Sequence, residues 1–325
     1  MHVEENLAGA RLRLGQVRGA KWPALLVEHH RTHAASVGQT GAVDSFGPLV
    51  DVAWLSARIG DPDLVVVDCR WKLGNPQAGE RQYEQGHIPG ATFLDVEHDL
   101  SAPPGDASRG RHPLPEPRAF ERAARHAGIG NSTAVVACDE AGEGGAARLW
   151  WLLRHFGHER TAILDGGVAG WRAAGGPLEP DRRDAPPGDF RARPRDGDVA
   201  PLYEVRERAL AGDDALVLVD ARAAERYRGE VEPVDPVAGH IPGAANLPFA
   251  SLMEDGRFRS RDDLQDRLTA AGVTPGADVV AYCGSGVTAA VLIAAAEAAG
   301  TPGVRLYAGS WSEWCRQGLP LAADT

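Results

Sequence analysis

Two tandem α/β units, each a mainly parallel sheet flanked by helices, are the fold the sequence predicts. An internal repeat, short apolar runs that alternate with helical patterns, and a composition break between the repeats predict it. The repeat is the primary signal. Leu64-Val65-Val66-Val67-Asp68-Cys69-Arg70 is followed by Gly86-His87-Ile88-Pro89-Gly90-Ala91. Leu216-Val217-Leu218-Val219-Asp220-Ala221-Arg222 is followed by Gly239-His240-Ile241-Pro242-Gly243-Ala244. Aspartate and histidine are 19 residues apart in the first copy and 20 in the second. Farther along, Ala134–Cys138 matches Asp278–Tyr282, and the glycine-to-tryptophan spacing is the same from Gly166 to Trp171 as from Gly309 to Trp314.

The apolar runs at 64–68, 134–138, 216–220 and 278–282 are short and bounded by turn residues, as parallel strands buried on both faces are. Segments 148–156 and 288–299 read as helices, the second closed by Gly300 with Pro302 beyond. Strand and helix in alternation imply a parallel sheet with helices on its faces. Between the copies, residues 179–197 are rich in Pro, Arg, Asp and Gly and mark a linker. The expected units are therefore 47–178 and 198–325. Residues 1–46, without sustained periodicity, read as an N-terminal extension.

Composition narrows the function. The 325 residues are 43% hydrophobic and 24% charged, the balance of a globular protein. A formal net charge of −11 disfavours a phosphate backbone as partner, so no nucleic acid is expected. No apolar run reaches the ~20 residues that cross a bilayer, and the early apolar stretches are broken by Arg11, Arg13, Arg18 and Lys21. A cytoplasmic protein without membrane contact is expected. Cys69, Cys138, Cys283 and Cys315 are spaced like neither a zinc site nor a disulfide framework. No metal or organic cofactor is expected.

Cys283 stands apart. It follows the strand run 279–282 and opens Cys283-Gly284-Ser285-Gly286-Val287-Thr288 before an alanine-rich helix. Two glycines let the backbone curl, so that successive N–H groups converge on the sulfur. The helix adds its positive N-terminal end. Both favour the thiolate, which is the nucleophile, and Ser285 and Thr288 add hydroxyls. The matching position in the first copy is Asp139, so the first unit is expected to be catalytically silent and the second catalytic. Cys69, Cys138 and Cys315 read as inert, and the tryptophans, Trp311 and Trp314 among them, as core.

The paired Gly-His-Ile-Pro-Gly motifs, the Asp-x-Arg strand ends, Trp150-Trp151 and the Cys-Gly-Ser-Gly-Val-Thr loop resemble the tandem rhodanese family from residue 48 onward. The resemblance implies two rhodanese-like domains, an active site between them and a cysteine persulfide. It also implies a small anionic sulfur donor, 3-mercaptopyruvate or thiosulfate, and an acceptor such as thioredoxin, cyanide or a small thiol. The uncharged loop of Gly284 and Ser285 is similar to that of the 3-mercaptopyruvate enzymes, which hold the donor carboxylate with two arginines. Arg226 matches the first. The second should fall within 232–238, which has no arginine, so Arg109 or Arg111 compensates or the donor differs. A Ser-His-Asp set described for those enzymes maps its serine to Ser285 and its histidine to His87; its aspartate falls near Ala78, where no acid stands. His240, Asp220 and Arg222 recur in the silent copy or mirror it, and read as structural.

Three rivals set the contrast. A cysteine phosphatase or arsenate reductase needs an arginine about six residues after the cysteine to clamp an oxyanion, and that position is Ala289. A relay partner that passes persulfide to a biosynthetic protein would share the loop. A non-catalytic module would be expected to lose the cysteine from both halves.

Overall fold

The computed structural model describes residues 47–103, 107–180 and 185–323; the extension 1–46 lies outside them. The first half runs β1 (Leu49–Val50), α1 (Val52–Ser56), β2 (Leu64–Asp68), α2 (Ala78–Gln85), β3 (Thr92–Phe93), α3 (Pro117–His126), β4 (Ala134–Cys138), α4 (Gly145–His155), β5 (Thr161–Leu164) and α5 (Gly167–Ala173). The second half runs α6 (Leu202–Ala211), β6 (Leu216–Asp220), α7 (Ala224–Tyr227), β7 (Ala245–Asn246), β8 (Met253–Glu254), β9 (Arg257–Phe258), α8 (Arg261–Ala270), β10 (Asp278–Tyr282), α9 (Ala289–Ala299), β11 (Arg305–Leu306) and α10 (Ser310–Arg316). Each half builds one parallel sheet, ordered β1-β5-β4-β2-β3 and β11-β10-β6-β7. β8 and β9 form a small antiparallel ribbon between β7 and α8.

The valine-rich strands are central because both faces of their sheet are covered. β2 pairs with β4 from Leu64↔Ala134 to Asp68↔Cys138, and β6 pairs with β10 from Leu216↔Asp278 to Asp220↔Tyr282. The same residue therefore ends the same strand in each half. At that end Arg70 forks onto Asp68 and donates to the Gly86 carbonyl at 2.8 Å, and Arg222 does the same to Asp220 and the Gly239 carbonyl at 2.6 Å. The Asp-x-Arg motif thus ties each strand end to the Gly-His turn. Ion pairs this deeply buried hold geometry more surely than they add stability.

α4 and α9 are apolar on almost every side, as helices buried all round must be. They pack against each other across the boundary of the halves, and one hydrophobic cluster runs from Val67 and Val135 through both helices to Val219 and Ala281. Arg154 on α4 bridges to Glu297 on α9 at 2.8 Å. The later part of the connecting segment is bonded down along the first half. Phe190 is buried, and the N–H groups of Arg193 and Arg195 donate to the Phe156 and His155 carbonyls at 2.9 and 2.8 Å. The two sheets share one continuous core, so the loops after β4 and β10 are held face to face.

Candidate active site

Cys283 is the first residue after β10, and its side chain is 2% exposed. Its N–H donates to Ser310 Oγ at 3.2 Å, at the start of α10, which fixes where the loop departs. The loop then folds back on the sulfur. The Gly286 N–H donates to Sγ at 3.1 Å and the Ser285 N–H at 3.5 Å. Gly286 has φ +78°, and a Cβ there would lie 2.6 Å from the Ala308 carbonyl oxygen, so only glycine fits the curl. α9 begins at Ala289 with Thr288 as its N-cap. Val287 is 1% exposed in the core, and the Thr288 methyl faces Gly144 of the first half.

The first half closes the site from the other side. His112 Nδ1 lies 2.6 Å from Ser285 Oγ, and its Nε2 lies 3.0 Å from Glu97 Oε2. A carboxylate on Nε2 fixes the tautomer that carries the proton there, which leaves the Nδ1 lone pair to accept from the serine hydroxyl. That bond also holds the Glu97 carboxyl below the usual carboxylate range. Trp71 Nε1 donates to the other Glu97 oxygen at 3.0 Å and meets the His112 ring edge-on at 5.5 Å. Serine, imidazole and carboxylate thus form one bonded chain across the boundary.

His87, the histidine expected beside Ser285, is not its partner. Its Nδ1 lies 2.8 Å from the Tyr83 carbonyl, and its ring stacks on Tyr83 at 3.8 Å. His240 makes the same contacts with Tyr227. Two copies with one geometry describe a turn, and the motif that made His87 conspicuous was that turn. The carboxylate on the imidazole is that of Glu97; the sequence near Ala78 assigns none. His112 occurs once and in no repeat. The only sequence signal for it was a histidine inside the basic run 109–112.

Two guanidiniums stand over Gly284. A Cβ there would be 2.7 Å from Arg111 Nη2 and 3.7 Å from both terminal nitrogens of Arg226. Arg226 is gripped by Glu232 at 2.6 and 3.1 Å. Arg111 pairs with the buried Asp235, which Arg226 and Arg316 also approach at 3.5 and 3.4 Å. The Arg111 N–H donates to Ser312 Oγ at 3.1 Å, pinning this first-half segment against α10. The segment 232–238 therefore contributes carboxylates that aim arginines rather than an arginine of its own.

Elsewhere, burial pushes the Cys69 and Cys138 thiols well above their ordinary range. Among the described residues no group of three or more His, Cys, Asp or Glu side chains is placed to hold a metal ion, and no helix is long and apolar enough to cross a membrane. What the site offers is a sulfur nucleophile ringed by donors, a proton-carrying chain ending on Ser285, and paired cations beside it.

Comparison with known proteins agrees with this chemistry. The rhodanese-like domain family matches the chain twice, over residues 51–174 and 204–317. A protein of Pseudomonas aeruginosa named as a probable 3-mercaptopyruvate sulfurtransferase is 46% identical over 83% of this chain and 95% of its own length. A Mycobacterium tuberculosis protein whose name assigns it thiosulfate as donor is 42% identical over 82% of this chain and 93% of its own. The crystal structure of the Escherichia coli 3-mercaptopyruvate enzyme superposes with a TM-score of 0.73 at 34% identity, covering 82% of this chain and 99% of that one.

Proposed function

The chain belongs to the tandem-domain rhodanese family of sulfurtransferases, and on that premise we propose that it takes sulfur from 3-mercaptopyruvate through a persulfide on Cys283. The observation that carries the choice of donor is the pair of guanidiniums, Arg226 and Arg111, beside a loop with no charge of its own. An α-keto acid brings a planar carboxylate at one end and sulfur at the other, and a guanidinium fork suits the first. Arg111 takes the place of the arginine absent from 232–238.

In the first step the Cys283 thiolate attacks the donor sulfur while the carbon–sulfur bond breaks. The electron pair of that bond passes to the departing carbon as the enolate of pyruvate. Ser285, backed by His112 and Glu97, relays the donor's thiol proton to that carbon, and pyruvate leaves. The outer sulfur stays on Cys283 as a persulfide anion, with the Ser285 and Gly286 N–H groups beside it. In the second step a thiophilic acceptor, thioredoxin, cyanide or a small thiol, attacks that outer sulfur and Cys283 departs as thiolate. Ping-pong kinetics follow. Val287 and Thr288 act by setting the loop and the start of α9.

Thiosulfate is the second reading, favoured by the mycobacterial relative's name. Parallel kcat/KM measurements with the two donors decide between them. We expect 3-mercaptopyruvate to be preferred and Arg111→Ala and Arg226→Ala each to raise its KM. Mass spectrometry after donor alone should add one sulfur to Cys283; the added mass on another cysteine would refute the site. Phosphate esters should not be turned over.

A further inference from the structure

Arg148 lies on α4 of the half without a nucleophile, and its side chain is wholly buried. A guanidinium taken from water is costly unless its charge is answered. Its hydrogen bonds go to carbonyl oxygens: Leu100 at 3.2 Å, His112 at 3.0 Å, Pro113 at 3.4 Å and Gly286 at 3.2 Å. Among the described residues no carboxylate pairs with it. Carbonyl dipoles satisfy its protons without supplying a countercharge. Gly286 is one of the two residues whose N–H groups point at the Cys283 sulfur, so Arg148 grips the sulfur loop one peptide along.

The repeat shows that this reach runs one way. Arg148 follows Asp139 by nine residues, and the residue nine after Cys283 is Leu292. Leu292 is fully buried in an α9 whose inner positions are all apolar. Only the loop that bears a nucleophile receives a cation from the opposite helix.

We propose that Arg148 is the countercharge of the Cys283 sulfur anion, as thiolate and as persulfide, and a positioning residue for its loop, supplied by the silent half. Burial pulls the Arg148 pKa down to about 10, and the charge of Cys283 is what opposes that fall. The proposal rests on Cys283 being the nucleophile, and it adds a reason for retaining the first half. Other charges near the sulfur answer to different elements. His112 and Glu97 act through Ser285, and Arg111 and Arg226 flank Gly284; none of them changes in the variants below.

The test is the rate of iodoacetamide alkylation of Cys283 against pH in the full-length protein, located by peptide mass spectrometry. Arg148→Met removes charge and fork together, Arg148→Gln keeps an amide donor for the carbonyls, and Arg148→Lys keeps the charge. We expect both neutral variants to move the alkylation profile about one pH unit higher, which slows alkylation about tenfold on the acid side of the profile. Lysine should keep the profile near the parent's. With 3-mercaptopyruvate, kcat should fall in the neutral variants while KM changes little, because Arg148 is not among the arginines over Gly284. If Met destabilises the fold, Gln carries the comparison. A folded neutral variant with the parent's profile overturns the proposal, as does a lysine variant displaced as far as the neutral ones. A parent protein whose Cys283 neither alkylates nor gains sulfur overturns the function above instead.

Discussion

The loops after β4 and β10 are the same device used in opposite ways. Asp139 and Cys283 hold equivalent places, each the first residue beyond its strand. The Asp139 carboxylate accepts the N–H groups of Gly142 at 2.7 Å, Gly144 at 3.0 Å and Ala146 at 3.2 Å. Cys283 Sγ accepts those of Ser285 and Gly286. Both are anion cradles of converging peptide dipoles. In the first half the protein fills the cradle permanently with its own carboxylate. In the second it leaves there a sulfur that can be charged, attacked and restored. On the proposed function, the fixed anion belongs to a scaffold and the exchangeable one to the active site.

The contrast is sharpest at the first residue of each loop. Cys283→Ser keeps the loop but removes the nucleophile, and sulfur transfer should fall about 10³-fold or more. Asp139→Cys should not create a second centre, since among the described residues no serine–histidine–carboxylate chain faces that loop. Donor-dependent sulfur on the introduced thiol of that variant, seen by mass spectrometry, would show that the cradle alone suffices.

The next largest effect separates the two histidines. His112→Ala cuts the chain behind Ser285 and should lower kcat by about 10²-fold or more, the usual range for a lost acid–base group. His87→Ala should instead lower stability by about 1–3 kcal/mol through its lost contacts with Tyr83, with kcat near the parent's. The reverse pattern in kinetics and urea denaturation would return His87 to the site.

Asp139→Asn tests the first-half cradle directly. An amide presents only one oxygen to three N–H donors and turns its own NH₂ toward the rest. A loss of about 1–3 kcal/mol is expected, with kcat/KM unchanged. Burial raises the Asp139 pKa and its N–H bonds oppose that rise, so a variant as stable as the parent would mean that those bonds contribute little.

Why the sequence yields one part of this molecule and withholds another follows from locality. Fold class, repeat and nucleophile are written in contiguous residues: valine runs, Gly-His turns, and the loop from Cys283 to Thr288. Repetition misled where it was strongest, because it marked His87 for the turn it shares with His240. His112, Glu97 and Trp71 come together only when segments far apart in sequence meet against the second half. Arg111 reaches Gly284 the same way, from a segment with no counterpart in the repeat. Arg148 reads in the sequence as one more residue of an apolar helix, and only its folded surroundings set it apart.

The smallest effect comes from the charges that the first-half loop alone carries. Glu143 lies beside Asp139 and Glu140, whereas the loop from Cys283 to Thr288 has no carboxyl at all. Partial burial, with those two neighbours adding to it, raises the Glu143 pKa from 4.5 to about 7. Between those values the folded protein holds a proton that the unfolded chain has released, so this group makes stability fall as pH rises through that window. Solvent screens this half-exposed carboxyl, and the swing should be below about 1 kcal/mol. Glu143→Gln should flatten that part of the curve and be slightly more stable than the parent above pH ~7. Urea midpoints measured from about pH 5 to about pH 8 test it. Parallel curves for parent and variant would mean that the first-half loop carries its acids without strain, and that the two cradles differ only in the residue each one holds.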